Sequence, residues 1–256
     1  MIPLPQAFLT VPLAHRGLHD LTAGRPENSL AAARAAIGAG YGIELDIRAS
    51  GDHRAMVFHD HDMRRLTGRP GDIGGCSRAE LRRVGLIGNG EPVPTLEAFL
   101  DLVAGRVPLL IEIKDRDGTM GPGDGAPEKA VTGALCGYSG PVAVMSFNPH
   151  SVAAMAEYAP DVPRGLTTED WTGRDAAAIP AARRASLRRI AGFDRVGASF
   201  ISHHAADLAS PHVAALKARG VPVLCWTVRS PEEEARARQV ADNVTFEGYM
   251  APCPAG

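Results

Sequence analysis

No stretch of this chain approaches the ~20 consecutive apolar residues that a membrane span requires. The N-terminus, Met1-Ile2-Pro3-Leu4-Pro5-Gln6, lacks the basic residues and the apolar run of a signal peptide. Cysteine is scarce, and Cys76, Cys136, Cys225 and Cys253 lie far apart with no metal-type pairing. Cys225, inside an apolar run, reads as a buried thiol. A charge excess is missing too. With 27 basic against 29 acidic residues the net charge is −2, which leaves no polyanion footprint and argues against nucleic acid as a partner. Gly121-Pro122-Gly123-Asp124-Gly125 is no phosphate loop, because Pro122 removes an amide and no GK[ST] follows. Together these absences predict a cytoplasmic protein without stable membrane insertion.

What is present is the composition of a globular enzyme-sized chain. Its 256 residues fit one large barrel or two small domains, and no repeat, low-complexity tract or dividing linker favours two. Apolar, β-branched runs alternate with alanine-rich stretches, the pattern of βα units and a parallel sheet. Strands are expected at 11–15, 42–48, 55–59, 108–114, 141–147, 163–167, 196–202, 221–228 and 243–248. Helices are expected from Leu30 to Ile37 (capped by Asn28 or Ser29), then at 95–103, 128–135, 150–158, 211–219 and 231–240. Nine strands are one too many for an eight-stranded barrel. The second and third are joined only by 49–54, and parallel neighbours need a crossover of about a dozen residues. That link is therefore a hairpin, its return strand is no stave, and a (β/α)8 barrel over 1–256 remains. A segment at 60–94 reads as an insertion at the mouth, and 115–126 as a lid over it.

Charged residues gather at the ends of the apolar runs, which in such barrels face the active site. His15-Arg16-Gly17 follows Val11 to Ala14, and Glu44-Leu45-Asp46 opens from Gly42-Ile43. His59-Asp60 closes Ala55 to Phe58, and Glu112-Ile113-Lys114 ends Pro108 to Ile111. Glu44 and Asp46 share one face of their strand, because side chains alternate. Two acids on one face repel unless a cation lies between them. Glu112, among residues that should be buried, would be expensive unpaired. All-oxygen ligation by Glu44, Asp46 and Glu112 suits Mg²⁺, Ca²⁺ or Mn²⁺ rather than zinc. His15 and His59 offer an acid and a base near neutral pH, and Arg16 and Lys114 offer positive charge for a phosphate. This is the equipment of a phosphodiester-cleaving enzyme. Ser146, Ser202 and Trp226 are expected at the same face, and His203-His204, next after Ser202, are left without a role. His19 and His61 are assigned no role, and the arginine pairs 64–65, 82–83, 183–184 and 188–189 read as solvated helix faces.

His15-Arg16-Gly17, Pro26-Glu27-Asn28-Ser29, Glu44-x-Asp46, His59-Asp60, Glu112-x-Lys114, Ser146-Phe147 and Trp226-Thr227-Val228 resemble, in order and spacing, the glycerophosphodiester phosphodiesterase family. The resemblance covers almost the whole chain. It implies a (β/α)8 barrel that hydrolyses a glycerophosphodiester to an alcohol and glycerol 3-phosphate, through a cyclic phosphate formed by the glycerol 2-hydroxyl. It implies one divalent cation on Glu44, Asp46 and Glu112, with His15 and His59 as the acid/base pair. Arg16 and Lys114 would hold phosphate, Trp226 and Phe147 would pack against glycerol, and Glu27 and Asn28 would support the first loop.

The chain departs from the family pattern at four places. The hairpin turn is Ser50-Gly51-Asp52-His53, and Arg65-Leu66-Thr67-Gly68 replaces Arg-Thr-Thr. Arg229 stands where Asn follows Trp-Thr-Val, and the closing Asp-Gly-Ile-x-Thr-Asp becomes Asp242-Asn243-Val244-Thr245-Phe246-Glu247-Gly248. These changes fall in loops and bear on the substrate more than on the catalytic positions. Two rivals stay open: a lipid-directed relative of lysophospholipase D or sphingomyelinase D type, and a non-catalytic barrel that binds a phosphodiester. The head group, the ion and the oligomeric state are open as well.

Overall fold

A computed structural model describes residues 2–253. Among them nine strands form one sheet: β1 (Leu13–His15), β2 (Gly42–Ala49), β3 (Ala55–Val57), β4 (Leu109–Ile113), β5 (Val142–Ser146), β6 (Arg164–Thr168), β7 (Phe200–His204), β8 (Val223–Val228) and β9 (Asn243–Phe246). All neighbours run parallel except β3, which pairs antiparallel with β2. The order β1-β9-β8-β7-β6-β5-β4-β2 closes on itself through β1 and β2, and β3 hangs outside the ring. The expected barrel and its hairpin are therefore both present.

Helices Leu30–Gly38, Leu96–Val103, Ala126–Leu135, Pro149–Tyr158, Ala181–Arg188, Pro211–Ala218 and Pro231–Ala237 alternate with the staves. The first begins at Ser29, whose hydroxyl accepts from Ala32 N at 3.0 Å, so the cap is Ser29 rather than Asn28. Helix Ala181–Arg188 had no expected counterpart beyond its arginines. No helix of the described residues is long and apolar enough to cross a membrane.

Side-chain alternation divides the strands into two faces. On β2 and β4, Ile43, Leu45, Ile47, Leu109, Ile111 and Ile113 pack outward against the helices. Inside, Leu13, Leu110, Ala143, Met145, Phe200 and Leu224 form a second core, closed from below by Leu4 and Phe8 of the N-terminal segment. Residues beyond β3 build a third core from Met56, Phe58, Met63, Leu66, Ile73, Leu81, Val84, Leu86 and Val93. The expected strand 196–202 begins late, at Phe200, because Gly197 takes a left-handed φ of 64°. It then continues to His204, which brings that residue to the mouth.

Phe200 fills the interior only because its partner on β6 is a glycine. Gly165 and Phe200 are in register, and a Cβ on Gly165 would lie 2.4 Å from Phe200 Cε2. Gly165→Ala should therefore overpack the interior and cost about 1–3 kcal/mol. Calorimetry should show a melting temperature lower by roughly 2–4 °C per kcal/mol at this chain size. An unchanged melt would mean that the ring can turn aside.

Candidate active site

Strand register assembles the site. β1 sets His15 beside Glu44, and β2 sets Asp46 beside Glu112 of β4. The three carboxylates offer ligand atoms that all lie within 4.8 Å of one another, and all three are buried. Lys114 reaches back from the end of β4, with Nζ 2.9 Å from Asp46 Oδ1 and 2.5 Å from Glu112 Oε1.

Arg16 works from the first loop. Its main-chain N–H donates to Glu44 Oε2 at 3.1 Å, and Arg16 takes a left-handed φ of 56°. Its side chain lies between Asp46 Oδ2, at 3.2 Å from Nε, and Glu27 Oε1, at 2.6 Å from Nη1. Asn28 donates to Asp46 Oδ2 at 2.8 Å. The resemblance had given Glu27 and Asn28 a supporting place near the metal, and each is in direct contact with the charged cluster or its arginine.

Burial and the like charges of Asp46 and Glu112 push the Glu44 carboxyl well above the usual range. Burial pushes Asp46 upward too, but Lys114, His59, Arg16 and His15 outweigh it and hold that carboxyl well below its ordinary value. One buried acid is thus compensated by the protein's own cations while another is not, which is the charge state a divalent cation would complete. The donor set is hard oxygen and close enough to share an ion, so these residues fit the expected metal.

Both histidines are backed by a carboxylate. His15 Nδ1 stands 2.6 Å from Glu247 Oε2, and His59 Nδ1 stands 2.7 Å from Asp60 Oδ1. His15 Nε2 lies 3.9 Å from Glu44. Burial pulls the His15 imidazole below its ordinary value, opposed by the Glu247 hydrogen bond. Glu247 also approaches His19 Nε2 at 3.5 Å and Arg229 Nη2 at 2.8 Å.

A cavity of about 410 Å³ opens above this cluster. Its lining joins a charged set, His15, Arg16, Glu44, His59, Glu112 and Lys114, to a largely apolar and aromatic one, Met120, Phe147, Trp171, Ile179, His204 and Trp226. Phe147 meets Trp171 and Trp226 edge-on, with centroids 5.6 and 5.3 Å apart. The stretch expected as a lid contributes Gly118 and Met120 to the lining of the cavity. It is tied down by Asn148, which donates to Asp115 at 2.6 Å and to Gly121 O at 2.7 Å, and by Arg183, which donates to Thr119 O at 2.6 Å.

Every residue singled out from the sequence for catalysis, phosphate, glycerol or metal lines the cavity or touches a residue that does. Two expected members do not reach it. Ser146 donates to Ile113 O at 2.6 Å and ties β5 to β4, while Ser202 is fully buried beneath the site. The histidine pair splits by strand alternation: His204 lies beside Trp226 at 5.1 Å, and His203 faces away, bonded to Thr168 at 2.8 Å. Arg65 is no solvated helix face. Its guanidinium forks onto Glu27 at 2.6 and 2.8 Å and onto Asp60 at 2.6 and 2.9 Å. Nor is Arg183 idle, since it ties down the 115–126 stretch through Thr119 O. Glu247, Asp60, Arg65, Arg229 and Trp171 were not anticipated as site residues. The only signal was position, since Asp60 adjoins a histidine and Glu247 follows the last strand.

Arg65 should show itself in acid. The Glu27 and Asp60 carboxyls are pushed up by burial but are held below their ordinary values by Arg65, with Arg16 and His59. A depressed carboxyl adds stability above the unfolded value and loses it as pH falls through the folded one. Arg65→Met should therefore be less stable than the parent above about pH 5, with the gap closing toward pH 2. The Arg65 side chain is 49 % exposed, so screening keeps the gap near 1 kcal/mol. Urea titrations across that range check it, and a gap independent of pH would deny the ion pairs any role.

The sequence profile of the glycerophosphoryl diester phosphodiesterase family matches residues 15–243. The protein YhdW of Bacillus subtilis is 27% identical over 233 residues, covering 88% of this chain and 88% of its own. Among solved structures, a phosphodiesterase of Oleispira antarctica in complex with the product sn-glycerol-3-phosphate superposes with a TM-score of 0.75 at 23% identity, over 94% of each chain. A glycerophosphodiester phosphodiesterase from Agrobacterium tumefaciens superposes with a TM-score of 0.66 at 25% identity, over 93% of this chain and 96% of the other.

Proposed function

This chain belongs to the glycerophosphoryl diester phosphodiesterase family, and from that premise we propose that it hydrolyses a glycerophosphodiester to an alcohol and glycerol 3-phosphate with the help of one divalent cation. The observation that carries the reading is the pairing of two carboxylate-backed histidines with a buried cluster of three carboxylates, all on one cavity. A passive binder needs the cations of such a site but not an acid and a base.

Glu44, Asp46 and Glu112 would hold the cation, which when bound supplies Lewis-acid polarisation of a phosphate oxygen. Arg16 and Lys114 bring positive charge to the same cavity, where negative charge grows on the phosphoryl oxygens in the transition state. Phe147 and Trp226 line the same cavity and would give the glycerol carbons an apolar surface. Chelation should abolish turnover of a glycerophosphodiester, and Mg²⁺, Ca²⁺ or Mn²⁺ should restore it. Glu112→Gln should behave like the chelated enzyme. Full activity in excess EDTA would remove the metal from the proposal.

The substrate's own glycerol 2-hydroxyl is the proposed nucleophile, closing a cyclic phosphate that water then opens. A hydroxyl held in the same molecule gains up to ~7–11 kcal/mol over a free one in ideal geometry. His15 and His59 would divide the duties: one takes the hydroxyl proton, and the other gives a proton to the leaving oxygen. A 2-deoxyglycerol substrate should then bind with a similar Kd and turn over slower by several orders of magnitude. Equal kcat on the two substrates would replace the cyclic route with direct attack by water.

A further inference from the structure

Two of the chain's departures from the family pattern meet in space. Arg229 Nε and Nη2 both lie 2.8 Å from Glu247 Oε1, and the other oxygen of that carboxylate lies 2.6 Å from His15 Nδ1. His15, His19 and Glu247 also form a trio of metal-ligating types. The 2.6 Å contact argues for a shared proton instead, because two ligands on one tetrahedral zinc, each at ~2.0–2.1 Å, stand about 3.3 Å apart.

The surroundings fix the trio from both sides. Arg229 is anchored by its own main-chain N–H, which donates to Glu233 Oε2 at 2.7 Å. Glu247 N donates to Val228 O at 3.0 Å, so the residue is seated on the end of β8. Glu247 cannot swing away from His15 without giving up its bonds to Arg229. A carboxylate accepts but does not donate, so the His15 nitrogen facing it must carry a proton.

We propose that Glu247 and Arg229 are positioning residues for His15. Glu247 holds the imidazole with its proton on Nδ1, which leaves the Nε2 lone pair toward the cavity, and Arg229 holds Glu247 in the orientation that does so. The same three-part chain recurs at the second histidine, where Arg65 bonds Asp60 and Asp60 bonds His59. Each acid/base imidazole is thus oriented by a carboxylate that is itself oriented by an arginine, the arrangement by which outer groups fix a tautomer. The inference rests on the phosphodiesterase reading of this site.

Glu247→Gln is the discriminating variant, because its amide can donate to Nδ1 and hold the opposite tautomer. Its kcat should fall on the order of 10²–10⁴-fold, with KM within about threefold of the parent, since substrate contacts are untouched. Arg229→Ala should lower kcat by roughly tenfold. The double variant Glu247→Ala/Arg229→Ala should match Glu247→Ala alone, because Arg229 acts only through Glu247. Glu247→Asp and Arg229→Lys keep both charges and should stay within about threefold of the parent. In full-length protein labelled with ¹⁵N-histidine, the His15 resonances, assigned by comparison with His15→Asn, should report the Nδ1-protonated form. They should switch to the Nε2-protonated form in Glu247→Gln. Parental kcat in that variant, multiplicative losses in the double variant, or an unchanged tautomer would each overturn the proposal. A protein that cleaves no glycerophosphodiester would instead sink the phosphodiesterase reading, and the tautomer measurement, which needs no substrate, would still decide this one.

Discussion

Glu44, Asp46 and Glu112 point into the barrel with 1 %, 1 % and 5 % of their surface exposed, where charge is poorly screened and like charges repel strongly. Removing three carboxylates from water is tolerable only if cations and donors replace the hydration they lose. Most of the local architecture answers that need. Lys114 bridges two of the acids, Arg16 presents both its amide and its guanidinium, and Asn28 donates to Asp46. Arg16 can do this because the chain turns sharply at Arg16 and Gly17, both at positive φ. Gly17 has no alternative there, since a Cβ would fall 2.9 Å from that of Ala32 on the following helix. The first loop is therefore shaped by the charge it must neutralise.

The same interior is dry one layer lower. Leu13 precedes His15 by two residues on β1, and Leu110 precedes Glu112 by two on β4, so each strand sends first an apolar and then a polar side chain inward. Phe8, Leu4 and Phe200 seal the lower layer. An apolar floor keeps water from the buried side of the carboxylates, so their only routes to compensation lie at the mouth. That is also where the phosphate of a substrate would arrive. Strand register, rather than any loop, therefore sets the spacing between the acids, and a frame of hydrogen-bonded strands holds it more closely than loops can.

What could be read from the sequence follows from the range of the interactions concerned. The carboxylate cluster was legible because alternation along Glu44-x-Asp46, and acids inside apolar runs, are local signals. The hairpin was legible because a link of six residues, 49–54, cannot cross over between parallel strands. Ser146 was misplaced because strand alternation needs an exact register, which apolar runs without clear ends do not supply; Ser202 shares the inward face of Phe200 and His204 but lies too deep to reach the cavity. The arginines were misjudged for a different reason. Arg65 stands on a one-turn helix that looks solvated in sequence, and its partners Glu27 and Asp60 are brought to it only by packing of the segment beyond β3. Sequence patterns report which face of an element is apolar, and they say little about which distant carboxylate a long side chain will find.

Glu247 shows most plainly how far such partners can come. It lies 232 residues from His15, yet the two are joined by the step that closes the barrel. β9 pairs with β1 so that Leu13 faces Thr245 and Ala14 faces Phe246, and extending that register by one residue sets His15 against Glu247. The His59–Asp60 pair, by contrast, is made of neighbours in sequence and needs no closure. One of the two carboxylate-backed histidines is thus built locally, and the other exists only in the finished ring. The segment after β9 is held accordingly. Tyr41 donates to Ala251 O at 2.5 Å, Tyr249 donates to Glu234 at 2.9 Å, and Phe246 packs between the two tyrosine rings at 4.7 and 5.4 Å. Those contacts secure β9 beyond its C-terminal end. In doing so they keep the carboxylate beside His15 in place, so the segment after β9 is as much a part of the candidate site as of the fold.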